Sequence, residues 1–312
     1  MQVWHSLDAV APGLRPSVVI IGNFDGVHRG HRLVIEQARA QAAQDGSPVV
    51  AVTFDPHPMR VLLPERAPVQ LTSVPRRAEL LVQAGVDHVL VLGFDADLAA
   101  WTPREFVQRV LIDGLSARHV VVGENFRFGA RAAGDTEMLT ALGDELGMQV
   151  SALPLAGAEH PWSSSYVRQC LAEGDVVEAA RVLGRDHAVR GVVVQGDRRG
   201  RELGFPTANV PTDGLTAVPR DGVYAGWFRR LDDHSDRHPA AISVGTNPTF
   251  HGAQRRVEAY VLDRTDLELY GVEIEMSFAG RLRGQETYDS VDDLVSQMHL
   301  DVEAARRTLG IA

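Results

Sequence analysis

The stretch Val18-Val19-Ile20-Ile21-Gly22-Asn23-Phe24-Asp25-Gly26-Val27-His28-Arg29-Gly30-His31 runs from an apolar, β-branched segment through a glycine-rich turn to two histidines. A continuous apolar run bounded by glycine reads as a strand buried on both faces, the habit of parallel sheets. A helical pattern follows from about His31 to Gln44, so the unit is strand, tight turn, helix. The turn lacks the Gly-Lys-Ser/Thr ending of a P-loop and has no G-x-G-x-x-G dinucleotide fingerprint. It offers close backbone approach at its glycines and two imidazoles, at i and i+3, beside a helix N-terminus. Free N–H groups and partial positive charge at such a terminus favour a nearby anion by ~0.3–1 kcal/mol. Imidazole donors there can follow charge as a phosphate bond breaks, and losing one such donor typically costs ~10²–10³ in rate. Either histidine alone fits an ordinary loop or core position. The H-x-G-H spacing directly after an apolar strand favours phosphate chemistry.

The pattern repeats outward. Val49–Phe54, Val89–Leu92, His119–Gly123 and Gln149–Leu153 read as further strands, and Arg76–Gln83, Pro103–Leu111 and Thr136–Leu146 as helices between them. Thr102 and Glu105 form a capping-box pattern with Pro103 at the first helical position. This alternation predicts a doubly wound α/β domain. A helical stretch from about Ser164 to Leu183 follows, interrupted near Gly174, with Asp175 and Glu178 as a second cap. Beyond Gly184 the texture changes to strand-like runs, Arg190–Gln195, Val223–Arg229, Ala240–Val244, Arg256–Leu262 and Val272–Phe278, separated by turn-rich loops. They predict a small antiparallel β-barrel, closed by one amphipathic helix over Val291–Leu309. The texture divides the chain into 1–184 and 185–312, two domains as 312 residues suggest at ~150 residues per domain.

The net charge of −10 argues against a nucleic-acid binder, which needs a basic face to displace counterions. The opening MQVWHSLDAV has no basic segment leading into an apolar run, and no apolar run approaches the ~20 residues that span a bilayer. The single cysteine, Cys170, excludes an internal disulfide framework and reads as a small buried hydrophobe. The expectation is a soluble cytoplasmic protein with neither nucleic acid nor membrane as partner. Oligomeric state is not legible.

Two further stretches belong with the first. Gly123-Glu124-Asn125-Phe126-Arg127-Phe128-Gly129 follows a predicted strand at the edge where such folds bind ligands. Ser163-Ser164-Ser165-Tyr166-Val167-Arg168 opens a helix with hydroxyls and an arginine, which suit phosphate; the same serines fit a well-capped helix. The histidine motif resembles that of the nucleotidylyltransferase superfamily. Together with TFDPHP (Thr53–Pro58), GENFRFG and the serine run, it resembles the adenylyltransferase module of prokaryotic bifunctional riboflavin kinase/FAD synthetases. That resemblance implies ATP binding by Gly22, Asn23, Phe24, Asp25, His28 and His31, with Asn125 holding the nucleotide. Ser164, Ser165 and Arg168 would grip phosphate from the far side. Asp55 and His57 would line the flavin phosphate site or shape the loop around Pro56 and Pro58.

The second half carries glycines at 191, 196, 200 and 204, then Pro206-Thr207-Ala208-Asn209. Gly196, Gly200 and Gly204 allow a loop to fold over phosphates. Thr207 and Asn209 supply neutral oxygens that suit Mg²⁺ held on a nucleotide; the tetrapeptide alone equally fits a turn with polar caps. Glu258 interrupts an alternating strand, which can carry a glutamate idly. The order of these stretches resembles flavokinases. The resemblance implies that Glu258 is the general base on the ribityl hydroxyl, that the metal steadies the γ-phosphate, and that the products are FMN and then FAD. The GRLRGQETYDSVDDLV segment resembles the family's tail and leaves Arg281 and Arg283 as candidates for proximity to substrate. One departure stands at the junction, where Asp186-His187 replace an expected aromatic and proline-containing segment. Two other readings are a nucleotidylyltransferase for another phosphate acceptor and a flavin sensor without turnover. Pro206–Asn209 with Glu258 counts against the first, and the full set of chemical groups against the second.

Overall fold

The computed structural model describes residues 2–311 apart from 12, 15, 158–159, 196–202, 233–235, 250–251 and 265, with backbone only at 247–249 and 252–254. The chain forms two compact units, Met1–Ser163 and Ser164–Ala312.

The first unit is built on β1 (Gln2–Trp4), β2 (Ser17–Ile21), β3 (Val49–Asp55), β4 (His88–Gly93), β5 (Ala117–Gly123) and β6 (Gln149–Leu153), in the order β1-β4-β3-β2-β5-β6. Every pairing is parallel. Its helices include α1 (Arg29–Ala42), α2 (Pro58–Leu62), α3 (Val74–Gln83), α4 (Ala96–Ala100), α5 (Pro103–Phe106) and α6 (Thr136–Leu146). Alternate residues of β2 serve two cores. Val19 and Ile21 pack with Phe106, Leu111 and Leu139. Val18 and Ile20 pack with Ile35, Ala38 and Leu81. Burying each such side chain contributes ~1.5–3 kcal/mol, and this two-sided burial is why the strand sequence is apolar throughout.

The capping box forms as expected. The Thr102 N–H donates to Glu105 Oε2 at 2.9 Å and the Glu105 N–H to Thr102 Oγ1 at 3.2 Å. The helix does not stop at Leu111, however. It widens into a π-helical segment, Val107–Gly114, where the Leu115 N–H reaches back five residues to the Val110 carbonyl at 3.1 Å. Val107, Val110 and Leu111, at i, i+3 and i+4, all enter the core.

The second unit opens with α7 (Ser164–Glu173) and α8 (Val176–Leu183), followed by β7 (His187–Val192), β8 (Thr207–Pro211), β9 (Gly222–Arg230), β10 (His238–Thr249), β11 (Gly252–Val261), β12 (Glu273–Arg283) and α9 (Val291–Leu309). The strands form an antiparallel sheet ordered β7-β12-β9-β10-β11-β8. A bridge between Val194 and Asn209 ties the chain after β7 to β8 and curls the sheet into a half-barrel. Close approach there requires Gly191, whose Cβ would stand 2.4 Å from Val210. The first strand begins at His187, earlier than the residue pattern suggests. His187 is buried, its Nε2 lies 2.8 Å from the Ala217 carbonyl, and it stacks on Phe278. The histidine thus supplies a core ring at the junction.

α8 packs on β7 and β12, and the Arg220 N–H donates to the Leu171 carbonyl of α7 at 2.8 Å. Packing therefore groups the α7–α8 hairpin with the barrel, whereas sequence texture divides at 184/185. Cys170 is buried in α7, and burial pushes its thiol pKa up. Among the described residues no helix is long and apolar enough to cross a membrane.

Candidate functional site

The strand order of the first sheet reverses beside β2: β3 and β4 extend one way, β5 and β6 the other. Such a switch point opens a crevice at the carboxyl ends of the flanking strands. Ile20 of β2 pairs with Val121 of β5, so Gly22–His31 and Gly123–Gly129 leave the sheet at the same edge. Asp55 ends β3 and His57 follows it on that edge. Asp55 is exposed, and His57 caps α2 by accepting the Met59 N–H on Nδ1 at 3.2 Å.

The loop after β2 is clamped from several sides. The Gly22 N–H donates to the Val52 carbonyl at 3.1 Å, and Thr53 Oγ1 donates to the Asn23 carbonyl at 3.1 Å. Phe24, Gly26 and Val27 have φ of 48°, 81° and 40°. For the two non-glycine residues this costs ~1–3 kcal/mol each, sustained only where surrounding structure over-determines it. That structure is present: Phe24 and Val27 are buried, and Asp25 is 1% exposed. The Asp25 carboxylate accepts the Leu71 N–H at 2.9 and 3.0 Å, the Thr72 N–H at 3.0 Å and the Thr72 hydroxyl at 3.1 Å. The buried Arg77 guanidinium lies 3.8 Å from it and also reaches Thr53 Oγ1 at 3.2 Å. Asp25 is an internal tie of the unit, and nothing in the residue pattern announces Arg77 or Thr72 as its partners.

α1 begins at Arg29, two residues before the sequence pattern suggests. His28 is therefore its N-cap and His31 the third helical residue. The His28 N–H donates to His31 Nδ1 at 3.3 Å, which puts the proton of a neutral His31 on Nε2. The two rings stack with centroids 3.6 Å apart, and Phe24 meets the His31 ring edge-on at 5.1 Å. A Cβ on Gly30 would stand 3.1 Å from both the His28 ring and the Trp162 carbonyl, so a side chain there would require these neighbours to give by a few tenths of an ångström. Arg29 lies over the Trp162 ring at 5.1 Å. Asn125 is exposed just beyond β5. Ser164, Ser165 and Arg168 stand at the start of α7, in the second unit.

A cleft lined by Arg39, Pro48, Asp87 and His88 lies at the opposite edge of the sheet, where β3 and β4 begin. It holds none of the residues singled out from sequence.

In the second unit the register assembles a row. Glu258 of β11 pairs with Asn209 of β8 on one side and Ser243 of β10 on the other. Residues directly opposite on antiparallel strands share a face. Val257, Ala259 and Val261 fill the core, which leaves half-buried Glu258 on the other face. Asn209 Nδ2 donates to Thr207 Oγ1 and to the Thr207 carbonyl, each at 3.2 Å. Gln285 Nε2 donates to Ser243 Oγ at 3.0 Å. Phe205 packs against Tyr260 and His299, anchoring the start of β8. Gly204 has φ of 87° in the turn before it; Gly196 and Gly200 lie outside the described residues. Ser243 and Gln285 escape a reading of the sequence because only strand register reveals them.

Neutral hydroxyl and amide oxygens two residues apart fit a hard cation such as Mg²⁺. Among the described residues no cluster of three His, Cys, Asp or Glu could hold a metal by itself. A cation at Thr207 and Asn209 would keep phosphate and water as its other ligands, the usual habit of Mg²⁺. Arg283 is engaged elsewhere, in a two-pronged pair with Asp301 of α9 at 2.8 and 2.7 Å, and Arg281 donates to the Asp221 carbonyl at 3.2 Å.

The FAD synthetase family model matches residues 11–166, and the riboflavin kinase family model matches residues 183–309. The bifunctional riboflavin kinase/FMN adenylyltransferase of Pseudomonas fluorescens is 36% identical over 310 residues, 98% of this chain and 97% of its own length. The Escherichia coli K12 protein of the same name is 35% identical over 295 residues, 94% of this chain and 93% of its own. A crystal structure described as a macrolide-efflux protein from Streptococcus pneumoniae superposes with a TM-score of 0.86 at 31% identity, covering 97% of this chain and 98% of that one. With both family matches in order, and relatives of this identity spanning nearly the whole chain, the chain belongs to the bifunctional riboflavin kinase/FMN adenylyltransferase family.

Proposed function

We propose that the chain makes FMN from riboflavin and ATP on the face of β8 and β11, and FAD from FMN and a second ATP at the switch point of the parallel sheet. The observation that carries this reading is the pairing of each family match with a site of fitting chemistry. The FAD synthetase match contains the histidine-capped helix, and the riboflavin kinase match contains the Asn209–Glu258–Ser243 row.

In the adenylyl transfer, a phosphate oxygen of FMN bonds to the α-phosphorus of ATP and the bond to the bridging oxygen breaks. The departing pyrophosphate takes the electron pair. The nucleophile is already ionised, so the protein's part is orientation and charge stabilisation. His28 and His31 supply donors at the positive end of α1, and Gly30 leaves room for the His28 ring beside the Trp162 carbonyl. Gly22, Asn23 and Phe24 form the floor of the turn, with Asp25 acting through the fold of that turn. Asn125 borders the nucleotide from the β5 side. Ser164, Ser165 and Arg168 are assigned to phosphate, and Asp55 and His57 to the flavin phosphate or its loop, on the family resemblance.

In the kinase step, the ribityl oxygen bonds to the γ-phosphorus and Glu258 takes the hydroxyl proton. The bond from that phosphorus to the β–γ bridging oxygen breaks, with the electron pair leaving on ADP. Thr207 and Asn209 would hold Mg²⁺, which when bound neutralises phosphate charge. Gly196, Gly200 and Gly204 are assigned to the loop over the phosphates. Both steps use ATP, and with a lone, buried cysteine the chain suits the reducing cytoplasm; neither nucleic acid nor membrane is a proposed partner.

Incubation with riboflavin, ATP and Mg²⁺, followed by separation of the flavins, tests the reading. FMN should appear first and FAD after it, and FMN supplied directly should give FAD. Absence of FAD in both reactions sinks the first site. Absence of FMN and FAD from riboflavin sinks the second.

A further inference from the structure

Arg256 precedes Glu258 by two residues on β11, and side chains two apart on a strand share a face. The register sets Arg256 between Pro211 of β8 and Gly245 of β10, one row along from Asn209, Glu258 and Ser243. Neither neighbour offers a charge or a side-chain acceptor. Nε and Nη1 of Arg256 are buried and have no hydrogen-bond partner among the described residues. Other arginines of the unit are matched: Arg255 with Asp221 at 2.8 Å, Arg190 and Arg229 with Glu275 at 2.8 and 2.9 Å, Arg283 with Asp301 at 2.7 Å. Guanidinium donors buried without a hydrogen-bond partner, as these two are among the described residues, are unfavourable. The retention of Arg256 beside the kinase row points to an anion that arrives with substrate.

We propose that Arg256 grips the phosphoryl group transferred in the barrel, as the γ-phosphate of ATP before transfer and as the flavin phosphate after it. This rests on the kinase reading of the barrel. Two residues of strand span ~7 Å, enough for a phosphoryl group to lie between Glu258 and Arg256. As the ribityl oxygen bonds to the γ-phosphorus, the bond from that phosphorus to the β–γ bridging oxygen breaks. The proton goes to Glu258, the electron pair leaves with ADP, and the equatorial oxygens lie against Arg256. A guanidinium presents a planar fork that two phosphoryl oxygens can accept from; an ammonium cannot reproduce it.

The test uses the full chain, with Arg256→Gln and Arg256→Lys assayed on riboflavin, ATP and Mg²⁺, counting FMN and FAD together. The glutamine variant should lose ~10²–10³ in kcat, the loss typical of one transition-state donor, with the lysine variant between it and wild type. Inhibition of the same reaction by ADP and by a β,γ-imido analogue of ATP supplies a readout that a structural role would not move. Wild type should favour the analogue, which carries a γ-phosphate, and the glutamine variant should lose that preference. Unchanged melting and unchanged FAD formation from supplied FMN establish that the variants are folded. Retained kcat, or a retained preference for the analogue, overturns the assignment. So does a change confined to the acid limb of the pH–rate profile, which would mean that Arg256 only keeps Glu258 ionised. A wild-type chain that makes no flavin phosphate overturns the kinase reading itself, a result distinct from an active wild type matched by its variant.

Discussion

Glu258 stands directly across the β8–β11 pairing from Asn209, so a carboxylate and an amide from separate segments share one face of the half-barrel. Antiparallel register fixes this, since slipping β11 by one residue would turn Glu258 into the core, and slipping β8 by one would turn Asn209 there.

Replacing Glu258 by glutamine keeps the shape and removes the proton acceptor. General-base assistance typically contributes ~10²–10⁴ in rate, so riboflavin phosphorylation should fall by about that factor. Melting should hardly change, and FMN should still become FAD at the wild-type rate. A kinase rate within a few-fold of wild type would make Glu258 a passive strand residue.

The stacked pair at the start of α1 predicts the opposite pattern. With His28 and His31 both changed to alanine, FMN should accumulate from riboflavin while FAD formation is lost. The side-chain cap disappears too, at a cost of ~0.5–2 kcal/mol, small enough for the unit to remain folded. FAD synthesis at the wild-type rate in the double variant would remove the histidines from the reaction.

Asp25 ties the 71–72 loop and the buried Arg77 to the strained turn. Changing it to alanine strands a buried cation, and breaking such a pair typically costs ~3–5 kcal/mol. The first unit should melt much lower while riboflavin phosphorylation in the second persists. A companion Arg77→Met substitution should recover part of the loss. An unshifted melting curve for Asp25→Ala would mean the tie carries little.

The sequence discloses what local pattern decides. Val18–Ile21 read as a buried parallel strand because it is apolar on both faces, and Thr102–Glu105 read as a cap because its partners are three residues apart. β1 is too short to show a period and exists because Val3 pairs with Val89. Arg77, inside a charged helical segment, looks like a surface residue until Asp25, Thr53 and Phe54 are seen around it. His187 likewise reads as a polar junction residue, and only the Ala217 carbonyl and the Phe278 ring reveal it as core. The row through Asn209, Glu258 and Ser243 depends on pairings between distant segments, which no local period encodes.

Acid should weaken the first unit through His88 and His119. Burial lowers both pKa values from the ordinary 6.5, with the N-terminal charge adding to the effect at His88 and Arg118 at His119. A depressed histidine pKa favours the neutral ring in the folded chain. Its contribution is complete above the unfolded value of ~6.5 and is lost as pH falls through the lower folded values. His88 stacks on Trp4 at 4.9 Å, and His119 Nε2 lies 2.8 Å from Ser151 Oγ, so His88→Phe with His119→Gln preserves contact at both places. Melting temperatures from pH 7.5 to 5 should fall less steeply in this double variant than in wild type. Equal slopes would assign the acid sensitivity to other groups.

The last prediction concerns where the barrel can be cut. A fragment that begins at Arg185 follows the change in sequence texture, and one that begins at Ser164 follows the packing. α8 buries Val176, Ala179, Val182 and Leu183, and its neighbours include β7 and β12. Gly174 passes so close to the barrel that a Cβ there would stand 3.0 Å from Arg281 and 3.3 Å from the Tyr224 hydroxyl. Each buried apolar side chain is worth ~1.5–3 kcal/mol, so losing the hairpin removes a sum comparable with the ~5–15 kcal/mol that holds a whole domain. Residues 164–312 should therefore melt cooperatively and convert riboflavin to FMN, without making FAD. Residues 185–312 should be largely unfolded or aggregate. If the shorter fragment is as stable as the longer, the hairpin contributes nothing to the barrel. If the longer one folds yet leaves riboflavin untouched, the kinase site needs residues from the first unit.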